Sequence, residues 1–227
     1  VSNLDDLITT ANKLRAPGGC PWDAEQTHES LLTYLIEETH ELIDAVQSKD
    51  PKAIKEELGD VLYNVIFHAD IAEANGDFNI QDVAKYMEDK MKSRHPHVFG
   101  TEEELKEFAA ETGEDVMKSW DNHKKKEKPE RESVLDGVPL TMPSLALANK
   151  VIGKAEKLGV LEKGKSPIKV ETDDELGALL LAIVSAARVN GIDPEMALRK
   201  ATTDLMSDIR KFEILEASDA GVIGEEL

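Results

Sequence analysis

A single cysteine, Cys20, stands among 227 residues. No intrachain disulfide can staple this chain, and the composition suits a reducing, cytoplasmic setting. Aromatic residues make up only 4% of the sequence, with Trp 2, Tyr 3 and Phe 5, so the core has to be built from aliphatic side chains. Positive charge is scarce too: 27 Lys and Arg face 46 Asp and Glu, a net charge of −19. A nucleic-acid backbone needs a basic face to bind, so no nucleic-acid partner is expected. A free nucleotide is not excluded, because a metal ion held by acids reverses the local sign. Long apolar runs are missing as well. The stretch Leu176 to Val189 is shorter than the roughly 20 residues of a membrane helix, and neither a membrane partner nor a signal peptide is expected.

What is present is helical. A hydrophobic share of 41% belongs to a globular chain, and the pattern predicts an all-α fold. Leu4, Leu7, Ile8, Ala11 and Leu14 repeat at helical spacing over residues 3 to 15, stopped by Ala16-Pro17-Gly18-Gly19. Gly19-Cys20-Pro21-Trp22-Asp23 is expected as a rigid loop, with Trp22 either a packing plug or a wall against a planar ligand. A second helix starts between Glu25 and Glu29. A third runs from Pro51 to Asn75 and ends at Gly76. Asn79 caps a fourth, with Asp82 in its first turn, and that helix breaks at His95-Pro96. A polar helix is expected from Glu102 to about Lys128, and Ser144 is expected to cap another that ends at Gly159.

Two acidic clusters organise the chain: Glu37-Glu38-Thr39-His40-Glu41 and Glu56-Glu57-Leu58-Gly59-Asp60. Ser48-Lys49-Asp50-Pro51 between them is a turn with proline ready to start the next helix, which gives a helical hairpin with acids on both arms. At about 100° per residue, Leu31, Tyr34, Leu35, Leu42, Ala45 and Val46 form an apolar arc with Glu38 in its middle. On the second arm Ile54, Leu58, Val61, Leu62, Val65 and Ala69 form the main stripe. Glu57, Asp60 and Asn64 share a second sector with Phe67 and Ile71, so this arm is expected to be buried on two sides. Carboxylates among leucines cost several kcal/mol unless a cation meets them. Lys49, Lys52 and Lys55 all cluster near the turn, away from these acids. Acids at i and i+3 project from one face, and an all-oxygen set suits Mg²⁺ or Mn²⁺.

The last third echoes the hairpin. Asp174-Glu175-Leu176-Gly177-Ala178 parallels Glu56-Glu57-Leu58-Gly59-Asp60, and both segments continue into an apolar helix ending in Asn-Gly. This points to duplication. Ala178 stands where Asp60 does, and no Glu-Glu-x-x-Glu precedes it, so the second copy is expected to be structural, with its apolar helix buried between neighbours. The expected organisation is a catalytic helical domain over 1–128, a linker over 129–143 and a degenerate helical half over 144–227.

With these residues in view, the sequence resembles the MazG family of nucleoside triphosphate pyrophosphohydrolases. The family's EExxE motif matches Glu37, Glu38 and Glu41, and its ExxD motif matches Glu57 and Asp60. Gly19-Cys20-Pro21-Trp22-Asp23 and Arg94-His95-Pro96-His97-Val98-Phe99 also look like this family. The resemblance implies hydrolysis of an NTP or dNTP to the monophosphate and pyrophosphate, with Mg²⁺ held by Glu38, Glu41, Glu57 and Asp60. Glu37 or Glu38 would orient or deprotonate the attacking water. Lys90 and Arg94 would hold the outer phosphates, with Asn64 also on the substrate side. The region around Trp120 would cover the base, with Lys124 nearby, and a helical bundle built from two subunits implies a homodimer.

Two other classes compete with this reading. A di-iron carboxylate bundle would use Glu-x-x-His, the spacing of Glu25/His28 and Glu37/His40, but it takes those motifs from different helices. These two lie about 18 Å apart along one predicted helix. A non-catalytic acidic interaction module would bind no metal. Lys90 and Arg94 near a helix end also have an ordinary role as partners of the helix dipole.

Overall fold

Polar caps decide where the helices of this computed structural model begin. The structure describes residues 2–108, 112, 116 and 130–224, with side chains as far as 218. Ser2 opens α1 (Asn3–Arg15) with a reciprocal box to Asp5. Pro21 starts a short α2 (Pro21–Glu25) where a loop was expected, because proline after Cys20 presets helical φ at the first position. Thr27 caps α3 (His28–Ser48), and Asp50 followed by Pro51 opens α4 (Pro51–Asn75), which ends at the left-handed Gly76. Asn79 boxes with Asp82 at the start of α5 (Ile80–Arg94), and the single turn α6 (Pro96–Phe99) follows. Thr101 caps α7 (Glu102–Glu107), which stops at Phe108; the rest of the long helix expected to Lys128 falls largely outside the described residues. Three more helices follow among the described residues: α8 (Ser144–Leu158), α9 (Asp173–Val189) and α10 (Pro194–Gly224). No strand occurs among the described residues. The fold is all-α.

The chain divides into two compact units, Val1–Lys124 and Lys125–Leu227. In the first, α4 is the central element and packs on α1, α3 and α5. It buries Asn64, Ile66, Phe67, Ala69, Ile71 and Ala72. Leu31, Phe67 and Ile71 form a cluster with Tyr63 against it. The stripe expected to be the main buried face of this helix is instead exposed at Leu58, Leu62 and Val65. Ala69 of that stripe is buried, as are Phe67 and Ile71 from the sector that carries Glu57 and Asp60.

In the second unit, α8 and α10 sandwich a core of Leu147, Val151, Ala155, Met206 and Ile209. The stretch expected as a linker contributes Leu135 and Val138 to this core. It is tied to α10 by polar contacts: Glu213 accepts from the Ser133 hydroxyl at 2.6 Å and from the Val134 amide at 2.9 Å, and Arg199 donates to the carbonyls of Leu140 and Met142. Ser144 is the first residue of α8, not its cap. It is fully buried and donates its hydroxyl to Glu195 while its amide donates to the same carboxylate. The larger departure is α9. It has no buried residue, and among the described elements it packs on α10 alone. The expectation that its apolar content would bury this helix between neighbours does not hold within the unit, because α10 alone packs on it and leaves Leu176, Leu181, Ile183, Val184 and Val189 exposed.

Candidate active site

The hairpin is closed by Lys49, which takes a left-handed φ of 58° after α3, and by the Asp50 carboxylate, which accepts from the Lys52 amide at 2.9 Å. From this turn α3 and α4 run antiparallel. Glu41 meets Glu57 near the turn, Leu31 meets Phe67 further along, and His28 meets His68 beyond that.

One carboxylate oxygen from each of Glu38, Glu41 and Glu57 lies within 4.8 Å of the others. Among the described residues, no other group of three or more acids, histidines or cysteines comes together in this way. Glu38 and Glu57 are half-buried, and Glu41, Glu37 and Asp60 are exposed. Burial lifts the Glu38 carboxyl above its ordinary pKa, and the charges of Asp60, Glu41, Glu57 and Glu37 lift it further. Glu57 is also raised by burial first, then by Glu41, Asp60 and Glu56, and by a hydrogen bond with Glu41. The charges acting on both groups are negative, so the cluster is strained by repulsion and a cation would relieve it. Asp60 is within electrostatic reach of Glu38 and Glu57 but is not part of the 4.8 Å group.

Asn64 is buried, and its amide donates to the Asp60 carbonyl at 3.1 Å. Lys90 is half-buried with its ammonium over the Tyr86 ring, 5.6 Å from the centroid. It makes no ion pair with the acids among the described residues. Arg94 is half-buried in the last turn of α5. Trp120 and Lys124 lie outside the described residues. His95 and His97 have their rings 5.5 Å apart, and His95 Nδ1 is occupied by the Met91 carbonyl at 2.6 Å.

Several contacts here were not foreseen from the sequence. Arg15 at the end of α1 pairs with Asp70 of α4 at 2.6 Å and lies over the Phe67 ring. After it the chain doubles back: the Cys20 amide donates to the Leu14 carbonyl at 2.7 Å. A side chain at Gly19 would collide with the carbonyls of Lys13 and Leu14. This tight return delivers Asp23, which is buried with the Tyr63 hydroxyl 3.5 Å from its carboxylate. It also sets Trp22 edge-on to Tyr34, with centroids 5.7 Å apart. Trp22 is 50% exposed, so it is not a buried plug, and Tyr34 stands one helical turn before Glu38. At the other end of the hairpin, His28 and His68 face each other Nδ1 to Nδ1 at 2.8 Å with stacked rings. One of the two nitrogens must carry the proton. Spacing carried a partial signal for this pair, since His68 follows Asn64 by one helical turn in the sector of Glu57.

The MazG nucleotide pyrophosphohydrolase domain, as a family model, matches residues 26–99. The Thermotoga maritima nucleoside triphosphate pyrophosphohydrolase/pyrophosphatase MazG is 39% identical over 241 residues, covering 99% of this chain and 90% of the relative. This chain belongs to the MazG family. The Escherichia coli nucleoside triphosphate pyrophosphohydrolase is 32% identical over 242 residues, 96% of this chain and 90% of that protein. The Mycobacterium tuberculosis nucleoside triphosphate pyrophosphohydrolase is 39% identical over 209 residues, 91% of this chain and 57% of that protein. The MazG segment 26–99 holds all six acids of the two clusters together with Asn64, Lys90 and Arg94. Trp120 and Lys124 lie beyond it.

Proposed function

We propose that this MazG-family chain hydrolyses nucleoside triphosphates, NTP or dNTP, to the monophosphate and pyrophosphate with Mg²⁺, for which Mn²⁺ can substitute. The observation that carries the reading is the convergence of Glu38, Glu41 and Glu57, where burial and then like-charge repulsion raise the Glu38 and Glu57 carboxyls. Three oxygens from two helices match what a hard divalent cation takes. Glu38, Glu41 and Glu57 would hold it, with Asp60 close enough in charge to complete the set. A cation held there would polarise phosphoryl oxygens and lower the pKa of a water.

The protein's part is alignment and charge balance, as in other phosphoryl transfers. Water attacks the α-phosphorus, the bond from that phosphorus to the α–β bridging oxygen breaks, and pyrophosphate leaves. Glu37 or Glu38 takes the water's proton. Lys90 and Arg94 hold the outer phosphates, Asn64 contacts the nucleoside side of the site, and Trp120 with Lys124 covers the base. The chain works as a homodimer. Leu32, Ile36, Ile43 and Val46 on α3 and Leu58, Leu62 and Val65 on α4 are all exposed at the i, i+3, i+4 spacing of a helix seam. A second hairpin docked there completes a four-helix bundle and leaves the acids on another side. The expected location is the cytoplasm.

The test is a screen of canonical and modified NTPs and dNTPs with pyrophosphate and phosphate assayed separately. Pyrophosphate release that needs Mg²⁺ or Mn²⁺ is the expected result. Turnover undiminished by excess EDTA would reject the metal-dependent reading.

A further inference from the structure

Three lysines lie in α5, and the residue one helical turn away from each decides what its charge can do, because side chains four apart on a helix are neighbours. Four residues after Lys85 stands Asp89, which accepts from its ammonium at 2.5 Å. Four before Lys92 stands Glu88, again at 2.5 Å, and Glu88 is also 3.7 Å from Lys85. The remaining acid of the helix, Asp82, accepts from the Asn79 amide at 3.0 Å in the N-terminal box. Four before Lys90 the pattern changes. That position holds Tyr86, and the Lys90 ammonium lies over its ring, 5.6 Å from the centroid. Lys90 makes no ion pair among the described residues. Tyr86 is 61% exposed, so burial does not account for its place, whereas Tyr34 and Tyr63 pack edge-on to Trp22 and Phe67. Arg94 follows Lys90 by one more turn, so Tyr86, Lys90 and Arg94 stand in a row at steps of about 6 Å along the axis, toward the end of the helix where its dipole favours cations.

We propose that Tyr86 is a positioning residue for the outer phosphates of the substrate, holding the Lys90 ammonium in place without cancelling its charge. The proposal rests on the phosphate-holding role given to Lys90 above. An acid and a ring restrain a lysine in different ways. A carboxylate at position 86 would fix the ammonium equally well, as Asp89 and Glu88 fix Lys85 and Lys92, but the pair would be close to neutral and would have to be broken before a phosphate could be gripped. An aromatic face attracts the cation through its quadrupole and leaves the unit charge, with its donors, open to an anion. Restraint before binding matters for lysine in particular, since its long stem gives up rotamer entropy when the ammonium is fixed on a ligand. The ring takes up part of that loss in the unliganded protein. The same helix therefore holds two lysines that are compensated by acids and one that is ordered yet uncompensated, and the uncompensated one is the lysine assigned to the phosphates.

The test uses the full chain and four variants, Tyr86→Phe, Tyr86→Leu, Tyr86→Glu and Lys90→Met, each verified as folded by circular dichroism. With the triphosphate hydrolysed fastest in the screen above, Lys90→Met should raise KM roughly tenfold or more. Tyr86→Leu should raise KM about two- to fivefold, the scale of an exposed cation–π contact, with kcat changed less than KM. Tyr86→Phe keeps the aromatic face and should restore the wild-type KM. Tyr86→Glu restrains Lys90 but compensates it, and should raise KM at least as far as Tyr86→Leu. In the Lys90→Met background Tyr86→Leu should add nothing. A readout independent of turnover is the NMR signal of lysines reductively methylated with carbon-13, which keeps their charge. The Lys90 signal, assigned by its loss in Lys90→Met, should lie upfield in wild type and Tyr86→Phe and move to the position of the other lysines in Tyr86→Leu. An unshifted Lys90 signal in wild type, or a wild-type KM in Tyr86→Leu while Lys90→Met raises it, would overturn the positioning role and leave the phosphate role of Lys90 standing. A wild-type KM in Tyr86→Glu would show that the uncancelled charge is not what matters. An unchanged KM in Lys90→Met would instead reject the phosphate role itself, and the positioning role with it.

Discussion

The helices α4 and α9 open on matching residues, Glu56-Glu57-Leu58-Gly59-Asp60 and Asp174-Glu175-Leu176-Gly177-Ala178, and both close on Asn-Gly. In the structure they are used in opposite ways. α4 is packed by α1, α3 and α5 and buries six residues, and its acids are pressed into a cluster by α3. α9 has no counterpart of α3: residues 160–172 connect directly from α8. Without that helix there are no second-arm acids for Glu175 to meet and no cover for the apolar face. The second unit therefore has neither a convergent acid group among its described residues nor a buried face on α9. The comparison also shows that the acids of the first unit are held together by packing that involves neither lysine nor arginine at the cluster.

The largest effect is expected from Asp60→Asn and Glu38→Gln. Each should lower pyrophosphate release by orders of magnitude at limiting Mg²⁺. Metal-free thermal stability should hold or rise, because one repelling charge is gone. Near-normal turnover in either variant would remove that residue from the site. Next is Arg15→Met, which keeps the packing stem but leaves Asp70 unpaired at a site where both side chains are 12% exposed. Breaking a buried pair from one side costs about 3–5 kcal/mol, visible as a lower urea midpoint for the first unit. If the midpoint does not move, the clamp of α1 onto α4 is not held by this pair.

The third effect is in pH. Burial, and then the neighbouring His28, hold His68 below its ordinary pKa. A histidine depressed in the folded state contributes stability that is complete above its unfolded value near 6.5 and is lost as pH falls through the lowered value. Glu38 and Glu57 work the other way. Their raised pKa values favour the metal-free fold at acid pH, and that contribution is lost as pH rises through them. His68→Asn should therefore flatten the fall in unfolding midpoint between pH 7 and 5.5, whereas Mg²⁺ should raise the midpoint chiefly near neutrality. An identical pH slope in wild type and variant would contradict the histidine assignment.

Much of this was legible beforehand because capping chemistry is local. Asn79, Pro51 and Gly76 mark helix ends through their own side chains or lack of one, and the spacing of Glu38, Glu41 and Glu57 carried the acid cluster, with Asp60 outside the 4.8 Å group. What could not be read depended on partners far away in sequence. The pairing of Arg15 with Asp70, of His28 with His68 and of Ser144 with Glu195 requires the register between helices, which no single stretch encodes. Leu58, Leu62 and Val65 formed an apolar stripe as expected, but periodicity reports that a face is to be covered and does not say by which chain. The same gap misplaced α9. The short α2 was hidden because Gly19-Cys20-Pro21 carries loop residues on one side of its boundary and a helix starter on the other.

Two smaller effects sharpen the comparison. Lys49 pays a steric cost in the left-handed region where Gly76 and Gly159 end α4 and α8. Lys49→Gly should stabilise the first unit by up to about 1 kcal/mol, read as a higher unfolding midpoint. The smallest effect is Ala178→Asp, which restores the missing acid of α9. It should produce no pyrophosphatase activity when introduced on top of Asp60→Asn, since no partner acids converge there. Because Ala178 is exposed in the unit, it should also leave the unfolding midpoint of the isolated protomer nearly unchanged. Recovered activity would mean that the second unit holds a site of its own.

The uncompensated acids of the hairpin also bear on how a substrate arrives. Most active sites for polyanions attract them through a basic field, and added salt slows that encounter. Here a chain of net charge −19 presents its exposed Glu37, Glu41 and Asp60 to an incoming tetra-anion, so the long-range force is repulsive. Moderate ionic strength shortens the reach of that force to about 8 Å at 0.15 M. At subsaturating nucleotide, association should then speed up as salt is added, the reverse of an electrostatically steered enzyme, until competition for the cation sets in.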